Sequence, residues 1–377
     1  MKVLQLTSDW KWTGPAEPML HAVTGLRARG HEVDVAFPAT PAGHAGGLPE
    51  RASERGVTPE FQPATGQGYG PLRDSAEVRR LRAFLAERRY DVVHATHARA
   101  HLLARFALGG RRDHAKLIAG WTHGDPIPRR PWNRWLYGPN GCDGVAALSE
   151  RVAAEARRYL GGSPQRVGVI SGVVDTERFS PRSRRVELRE SLGLKPDEIV
   201  LGLVARLQPH RQVELILESL AQALRAAPGL RLLVVGRGTR AQQVLDEPAR
   251  RLGLERAVIR AGYLKGDEYL EVLAQMDALV YLVPGSDGSC RAALEALSMG
   301  IPAIASRRGA LPELLGEAAL FSEETVEALS SAFRSLRPGA SEWRGRSEAA
   351  RERALTQFAI ARYAERCEAL YARLCRA

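Results

Sequence analysis

Two acidic residues, Asp287 and Glu295, stand eight positions apart after an apolar run. Residues 278–283 predict a strand, a glycine-containing turn follows, and the alanines and leucines after Ser289 predict a helix. Such a turn binds anions, because unpaired backbone N–H groups and the positive end of the helix dipole face it. One acid could then reach the sugar end of a bound ligand and the other its ribose, whose neighbouring hydroxyls suit a carboxylate. The alternative is structural: Asp287 caps the helix and Glu295 is a solvated helical acid.

Two arginines, Arg206 and Arg211, follow the apolar run at 199–205. A guanidinium is always charged and carries five donors in a fixed arrangement, so the pair could bind a diphosphate and stabilise a departing nucleotide. Loops at the carboxyl ends of parallel strands face the ligand crevice, which favours this function. The alternative is surface arginine, since Lys and Arg together number 54.

Short β-branched runs alternate with helical stretches, which predicts right-handed βαβ units and parallel sheets. The predicted strands of a first series are Val3 to Leu6, Val33 to Phe37, Val92 to Ala95, Leu117 to Ala119, Val145 to Leu148 and Val167 to Ile170. Those of a second series are Ile199 to Ala205, Leu230 to Gly236, Val258 to Gly262, Ala278 to Val283 and Pro302 to Ser306. Several are apolar throughout, as expected when helices cover both faces of a sheet. The sequence therefore predicts two doubly wound α/β halves.

Glycine and proline mark the predicted join of the halves, around residues 171–175 and 179–181. Near the C-terminus, residues 338–340 precede a predicted helical stretch from Ser341 to Arg376. Its apolar residues Phe358, Ala361, Tyr363 and Ala364 indicate a packed face.

The composition and net charge indicate which classes of ligand or partner the protein is expected to bind. The formal net charge of +11 suits phosphate-bearing ligands or an anionic membrane, and no recognition helix, zinc finger or aromatic RNA-binding signature accompanies it, so nucleic acid is not expected. Four cysteines, at positions 142, 290, 367 and 375, show no metal-ligand spacing and are expected to be reduced thiols. The sequence lacks a long uncharged apolar run and a signal-peptide pattern, so a cytoplasmic protein is expected.

The order of these motifs resembles that of the retaining, GT-B-fold glycosyltransferases of family 4, also called glycosyl transferases group 1. The similarity is strongest from about residue 165 to 325 and rests on these segments: Ile170 to Asp175, Phe179 to Pro181, Arg206 with Arg211, Val235 to Gly238, Gly262-Tyr263, Asp287-x(7)-Glu295 and Gly300 to Ser306.

The resemblance implies the GT-B architecture, in which two Rossmann-like parallel-sheet domains face each other across a cleft and a C-terminal helix packs back toward the N-terminal domain. The expected division is residues 1–170 for the acceptor, 171–355 for the nucleotide-sugar, and 356–377 for the returning helix.

For the donor, the resemblance implies that Arg206 and Arg211 bind the diphosphate and neutralise the leaving group. Arg211 stands where the family usually has lysine. Glu295 matches the second acid of the E-x(7)-E motif and is expected to hold ribose. Asp287 matches the first acid, which contacts sugar hydroxyls, although the family more often has Glu. Further donor contacts are expected from Gly236 and from backbone N–H groups of Gly288, Ser289 and Cys290.

In the N-terminal half, His123 follows the predicted strand at 117–119 and resembles the family's histidine beside the reacting sugar; the alternative is a structural hydrogen bond. Gly14 stands where the family has a glycine-rich loop near the donor phosphates and the acceptor, or it simply permits the turn. His94 and His97, at the end of the predicted strand from Val92, either line the acceptor pocket or pack locally.

The implied chemistry is transfer on one face of the sugar, with the leaving phosphate helping to deprotonate the acceptor. No nucleophile-and-base pair for double displacement and no DxD-type metal motif stands out, so electrostatic catalysis without a metal or other cofactor is expected. The alternatives are a nucleotide-sugar epimerase or hydrolase on the same fold, or a non-catalytic nucleotide-sugar-binding relative.

The acceptor is expected to be a glycan or glycolipid, as in cell-envelope or lipopolysaccharide-type synthesis. The basic and aromatic segment from Arg129 to Trp135 suits an anionic membrane interface or a phosphorylated glycolipid. The alternative is an irregular loop with surface arginines and packed tryptophans.

Overall fold

The chain forms two parallel six-stranded sheets in the computed structural model, which describes residues 1–12, 14–64, 70–109, 115–283 and 290–376. Each sheet belongs to one of two compact units. The first unit contains residues 1–173 and the chain from 360 onward, and the second contains residues 174–283 and 290–359. The predicted α/β class with two Rossmann-like sheets is confirmed.

In the first unit the strands are β1 (Lys2–Thr7), β2 (Glu32–Ala36), β3 (Val92–Thr96), β4 (Lys116–Trp121), β5 (Gly144–Ala147) and β6 (Val167–Val169). Their order is β2-β1-β3-β4-β5-β6. The helices are α1 (Ala16–Ala28), α2 (Leu48–Ser53), α3 (Pro71–Arg88), α4 (Ala98–Leu108), α5 (Pro131–Tyr137) and α6 (Glu150–Leu160). The strand order reverses between β1 and β3, which is where such sheets bind ligands at their carboxyl ends.

In the second unit the strands are β7 (Ile199–Val204), β8 (Leu230–Val235), β9 (Val258–Gly262), β10 (Ala278–Tyr281), β11 (Ala303–Ala305) and β12 (Ala319–Phe321). Their order is β12-β11-β10-β7-β8-β9, with the reversal between β7 and β10. The helices are α7 (Val186–Ser191), α8 (Val213–Leu224), α9 (Glu247–Arg251), α10 (Gly266–Leu273), α11 (Arg291–Ser298), α12 (Leu311–Leu315), α13 (Val326–Ser335) and α14 (Ser341–Arg353).

The last helix, α15 (Ile360–Arg376), covers the sheet of the first unit. It packs on α1 so closely that a Cβ on Gly25 would lie 2.8 Å from the Cβ of Ala364. The hydroxyl of its buried Tyr371 accepts from Nε2 of Gln5 at 3.0 Å and lies 2.7 Å from Nδ1 of His94. These bonds join the helix to β1 and β3.

The helical stretch predicted from Ser341 to Arg376 is confirmed except at Ala359, where it is interrupted. A π-helical turn at Ala354–Phe358 follows α14, and Ala359 then adopts an extended conformation and forms a parallel bridge with Val174. Because Ala359 is extended, α15 starts in a new direction. Ala361, expected on the packed face, is exposed.

Within the described residues, no helix is long and apolar enough to cross a membrane. Of the four cysteines, those at 142, 290 and 367 are buried and Cys375 is exposed, all as free thiols.

Candidate functional site

Arg206 and Arg211 lie at the reversal point of the second sheet, in the segment that leaves β7. Arg206 is exposed and makes no side-chain hydrogen bond or ion pair with any other residue that the structure describes. Arg211, at the end of a 3-10 turn (Pro209–Arg211), donates from Nη1 to the carbonyl oxygen of Val283 at 3.0 Å. This bond joins the segments that follow β7 and β10. One guanidinium therefore bridges the reversal point and the other remains accessible to a ligand.

Two glycines fix the path of the backbone around Arg206. A Cβ on Gly236 would lie 2.0 Å from the carbonyl oxygen of Ala205, and one on Gly238 would lie 2.0 Å from that of Leu207. Gly236 also has a φ of +140°, which side chains rarely allow. The loop after β8 can therefore lie directly against the loop after β7, with the amide of Leu207 donating to the Arg237 carbonyl at 3.2 Å.

Glu295 is buried on α11, with 7% of its surface exposed. Its Oε2 accepts from the hydroxyl of Tyr269, on α10, at 2.6 Å, and Oε1 lies 3.8 Å from Nε of Arg291. A buried carboxylate requires such partners, because burial without them is costly. Glu295 is therefore an oriented acid, in contrast to the solvated helical acid of the alternative interpretation.

The helix that carries Glu295 begins at a strained residue. Cys290 caps α11 with φ +50° and ψ +33°, the left-handed region that a residue with a Cβ seldom occupies. Its carbonyl accepts from the amides of Ala293 and Leu294, as an N-cap carbonyl should. Asp287, Gly288 and Ser289 lie outside the described residues.

In the first unit, His97 lies at the reversal point between β1 and β3. It caps α4 with φ +78° and ψ +143°, an uncommon conformation for a residue with a side chain. Burial lowers the pKa of His97, and the nearby His123 lowers it further, whereas the Asp9 carboxylate acts in the opposite direction. Residues following three neighbouring strands, β1, β3 and β4, thus interact electrostatically at one sheet edge.

His123 is exposed in the loop after β4. Its ring lies 4.8 Å from that of Trp121, whose Nε1 donates to the carbonyl of Asp125 at 2.8 Å. The aromatic contact and this turn support the loop that carries His123, while the imidazole is available to a ligand.

His94 and Gly14 are both buried in the first unit. His94 lies inside β3 and is buried against Tyr371, and burial lowers its pKa to about 4, so the ring is neutral near pH 7. Local packing, one of the two interpretations of His94, describes this environment. Gly14 is buried in the turn before α1.

Two family models match the chain in succession. Glycosyltransferase Family 4 matches residues 16–178, and Glycosyl transferases group 1 matches residues 184–353. Together the two matches span most of the chain, which belongs to the glycosyltransferases that these two models describe. Their GT-B fold is confirmed by solved structures that align along nearly the whole chain.

Two of those structures illustrate the fold of this chain. A glycosyltransferase from Rickettsia africae has a TM-score of 0.83 at 15% identity and covers 99% of this chain and 98% of its own. HepE of Anabaena, solved in complex with UDP, has a TM-score of 0.80 at 19% identity and covers 99% and 100%.

The curated relatives share more sequence over a shorter region. D-inositol 3-phosphate glycosyltransferase of Segniliparus rotundus is 31% identical over 173 residues, which are 45% of this chain and 38% of the relative. The enzyme of that name from Streptomyces bingchenggensis is 30% identical over 237 residues, 60% of this chain and 49% of the relative. The chain thus spans less than half the length of each.

Two residues of these sites were not found from the sequence. Tyr269 precedes Glu295 by 26 positions on a different helix, and no spacing rule connects them. Asp9 follows β1 at the carboxyl edge of the first sheet. Because ligands bind at that edge, this position could have indicated Asp9 as a candidate site residue.

Proposed function

We propose that this glycosyltransferase moves a sugar from a nucleotide-diphosphate sugar to a hydroxyl of a glycan or glycolipid, with retention of the anomeric configuration. The observation that carries the proposal is the exposed Arg206 at the reversal point of the second sheet, with the oriented Glu295 on the helix that follows β10. Family membership supplies the reaction class.

In the proposed mechanism, Arg206 and Arg211 bind the diphosphate and stabilise the charge that develops as it departs. Glu295 accepts from the ribose hydroxyls, Asp287 from the sugar hydroxyls, and the segment 288–290 donates backbone N–H groups. His123 lies beside the reacting sugar, and Gly14 and Gly236 allow close approach of the backbone. The acceptor oxygen bonds to the anomeric carbon as the bond from that carbon to the phosphate breaks, both on one face of the sugar. The departing phosphate accepts the acceptor's proton.

The proposed donor is a UDP-sugar. Support comes from the similar HepE structures, which were solved with UDP, with UDP and glucose, and with UDP-glucose. GDP- and ADP-sugars are the competing donors.

The proposed acceptor belongs to cell-envelope or lipopolysaccharide-type synthesis. Similar folds occur in the lipopolysaccharide outer core galactosyltransferase WaaB and in WaaG, a glycosyltransferase involved in lipopolysaccharide biosynthesis. D-inositol 3-phosphate is a second candidate acceptor, which the names of the curated relatives favour. The location in the cytoplasm stays a prediction.

The test is thermal stabilisation by UDP-, GDP- and ADP-sugars, followed by incubation of the stabilising donor with each acceptor. A ligand that binds only the folded state raises the melting temperature, by an amount that grows with its concentration over Kd. We expect a shift with UDP-sugars that Glu295→Ala loses and the exposed control Glu268→Ala keeps. Transfer should persist in a chelator, and the product's anomeric proton coupling should report retention.

Other outcomes would contradict the proposal. An epimerised or hydrolysed donor, formed equally well with and without acceptor, would indicate the epimerase or hydrolase. Donor binding without any turnover would indicate a non-catalytic relative.

A further inference from the structure

A short helix of the first unit presents an exposed tryptophan among arginines. Trp132, on α5, is 55% exposed, and its ring stacks on that of Trp135 with centroids 4.9 Å apart. Trp135 in turn contacts Phe106 of α4, which is 38% exposed. Arg130, which caps α5, and Arg134, one position before Trp135, are both exposed. These five residues are called the α5 patch.

Buried side chains and hydrogen bonds hold α5 in place within the first unit. The exposure of Trp132 therefore follows from the fold. Leu136 and Tyr137 are buried. His101 of α4 stacks on Tyr137 and lies 3.0 Å, by its Nε2, from the carbonyl oxygen of Leu136. At the start of the helix, Nδ2 of Asn133 donates to the carbonyl of Pro128 at 2.9 Å.

The surroundings of the α5 patch carry excess positive charge. The nearby acid, Glu155 on α6, is paired with both Arg129 and Arg158. Neither Arg130 nor Arg134 forms an ion pair with any residue in the part of the chain that the structure describes. Two uncompensated guanidinium groups therefore belong to the same short segment as an exposed indole.

This combination fits the surface of an anionic bilayer better than a protein partner. Indole rings concentrate at the level of lipid headgroups, and arginines bind lipid phosphates beside them. A stable protein interface needs about 20–30 residues a side, far more than the five that form the patch.

We propose that the α5 patch docks the protein on an anionic lipid bilayer, with Trp132 inserted among the headgroups and Arg130 and Arg134 against lipid phosphates. The inference uses residues outside the proposed sugar-transfer site and stands independently of the proposed function.

The experiment is co-sedimentation of the full chain with vesicles of phosphatidylglycerol and phosphatidylcholine, and with phosphatidylcholine alone. We expect binding to the anionic vesicles that weakens as salt screens the charges, accompanied by a blue shift of tryptophan emission. Arg130→Glu with Arg134→Glu should weaken binding at least about twentyfold, since each arginine near such a surface contributes about 1 kcal/mol. Trp132→Ala should weaken binding and abolish the blue shift.

The matched control is Arg225→Glu with Arg256→Glu, which changes the net charge equally at exposed positions of the second unit. Equal loss of binding in the control pair would overturn the proposal, because total charge would then explain it. Absence of binding by the unaltered protein at low salt would also overturn it. So would a dimer that only the α5 variants dissociate, which would make the patch a contact between copies. Donor-induced thermal stabilisation should be unchanged in all variants, so a failure here is distinguishable from a failure of the proposed function.

Discussion

The orientation of the Glu295 carboxylate depends on its contact with Tyr269. The Tyr269 hydroxyl donates to Oε2, and the aromatic ring of Tyr269 packs edge-on against Phe179 with centroids 6.3 Å apart. The tyrosine is therefore held on both its polar and its apolar side. A ligand hydroxyl that binds Glu295 meets an acid already in position, which reduces the entropy lost on binding.

Tyr269→Phe should weaken donor binding by up to about 10- to 150-fold, because losing a hydrogen bond to a charged group costs about 1.5–3 kcal/mol. Isothermal titration with the donor nucleotide measures the change. Tyr263→Phe is the matched control, since it removes a hydroxyl from an exposed tyrosine in the same unit. Equal affinities of the two variants would contradict a positioning role for Tyr269.

Sequence patterns indicated the candidate site residues but not the residues that contact them. Glu295, Arg206 and His97 follow from motif spacing and from the carboxyl ends of parallel strands. The environment of His94 does not, because its partner Tyr371 lies 277 positions away and only the packing of α15 brings them together. Contacts made by tertiary packing leave no periodic signal in a single sequence.

At the scale of elements, the loops after β7 and β8 lie in direct contact and together position Arg206. Their backbones touch at two glycines, so the position of Arg206 depends on residues about 30 positions further along the chain. A small change in one loop must therefore displace the other.

Gly236→Ala should destabilise the protein by more than about 2 kcal/mol and weaken donor binding, because the new Cβ would overlap the Ala205 carbonyl at a positive φ. Urea unfolding and donor titration measure the two effects. Gly229→Ala is the control, since a Cβ there has no neighbour within 4 Å. A Gly236 variant as stable as the control would show that the loops are not in close contact.

The alternation of strands and helices predicted both sheets, because parallel strands need crossover connections and covered faces. Two element-scale features were not predictable in this way. Strand β12 contains no β-branched residue, whereas each predicted strand contains at least one. The break between α14 and α15 depends on the bridge from Ala359 to Val174, a long-range backbone contact that local periodicity cannot indicate.

At the scale of the whole molecule, acid should destabilise the first unit through two buried histidines. Burial lowers the pKa of both His94 and His101 to about 4, below the value of about 6.5 expected in the unfolded chain. The unfolded state then binds more protons between these values, so this stability is fully present above about pH 6.5 and is lost as the pH falls toward 4.

Urea unfolding between pH 7 and pH 4 should reveal a decline of up to about 1.4 kcal/mol per pH unit for each histidine. His94→Gln with His101→Gln should flatten the profile, whereas the exposed His44→Gln should not. If the double variant kept the full slope, other groups would be responsible for it.

Helix α15 packs in the core of the first unit, although it is synthesised long after the sheet of that unit. This order of synthesis affects when the first unit can finish folding. The sheet of the first unit is synthesised by residue 173, yet its covering helix ends at Arg376. At about 5–20 residues per second, the ribosome needs on the order of 10–40 s to add the intervening 200 or so residues. During that interval the face of β1, β3 and α1 that receives Tyr371 has no cover, whereas the second unit is already complete at Ala359. The half of the protein that is translated first is therefore the half that finishes folding last.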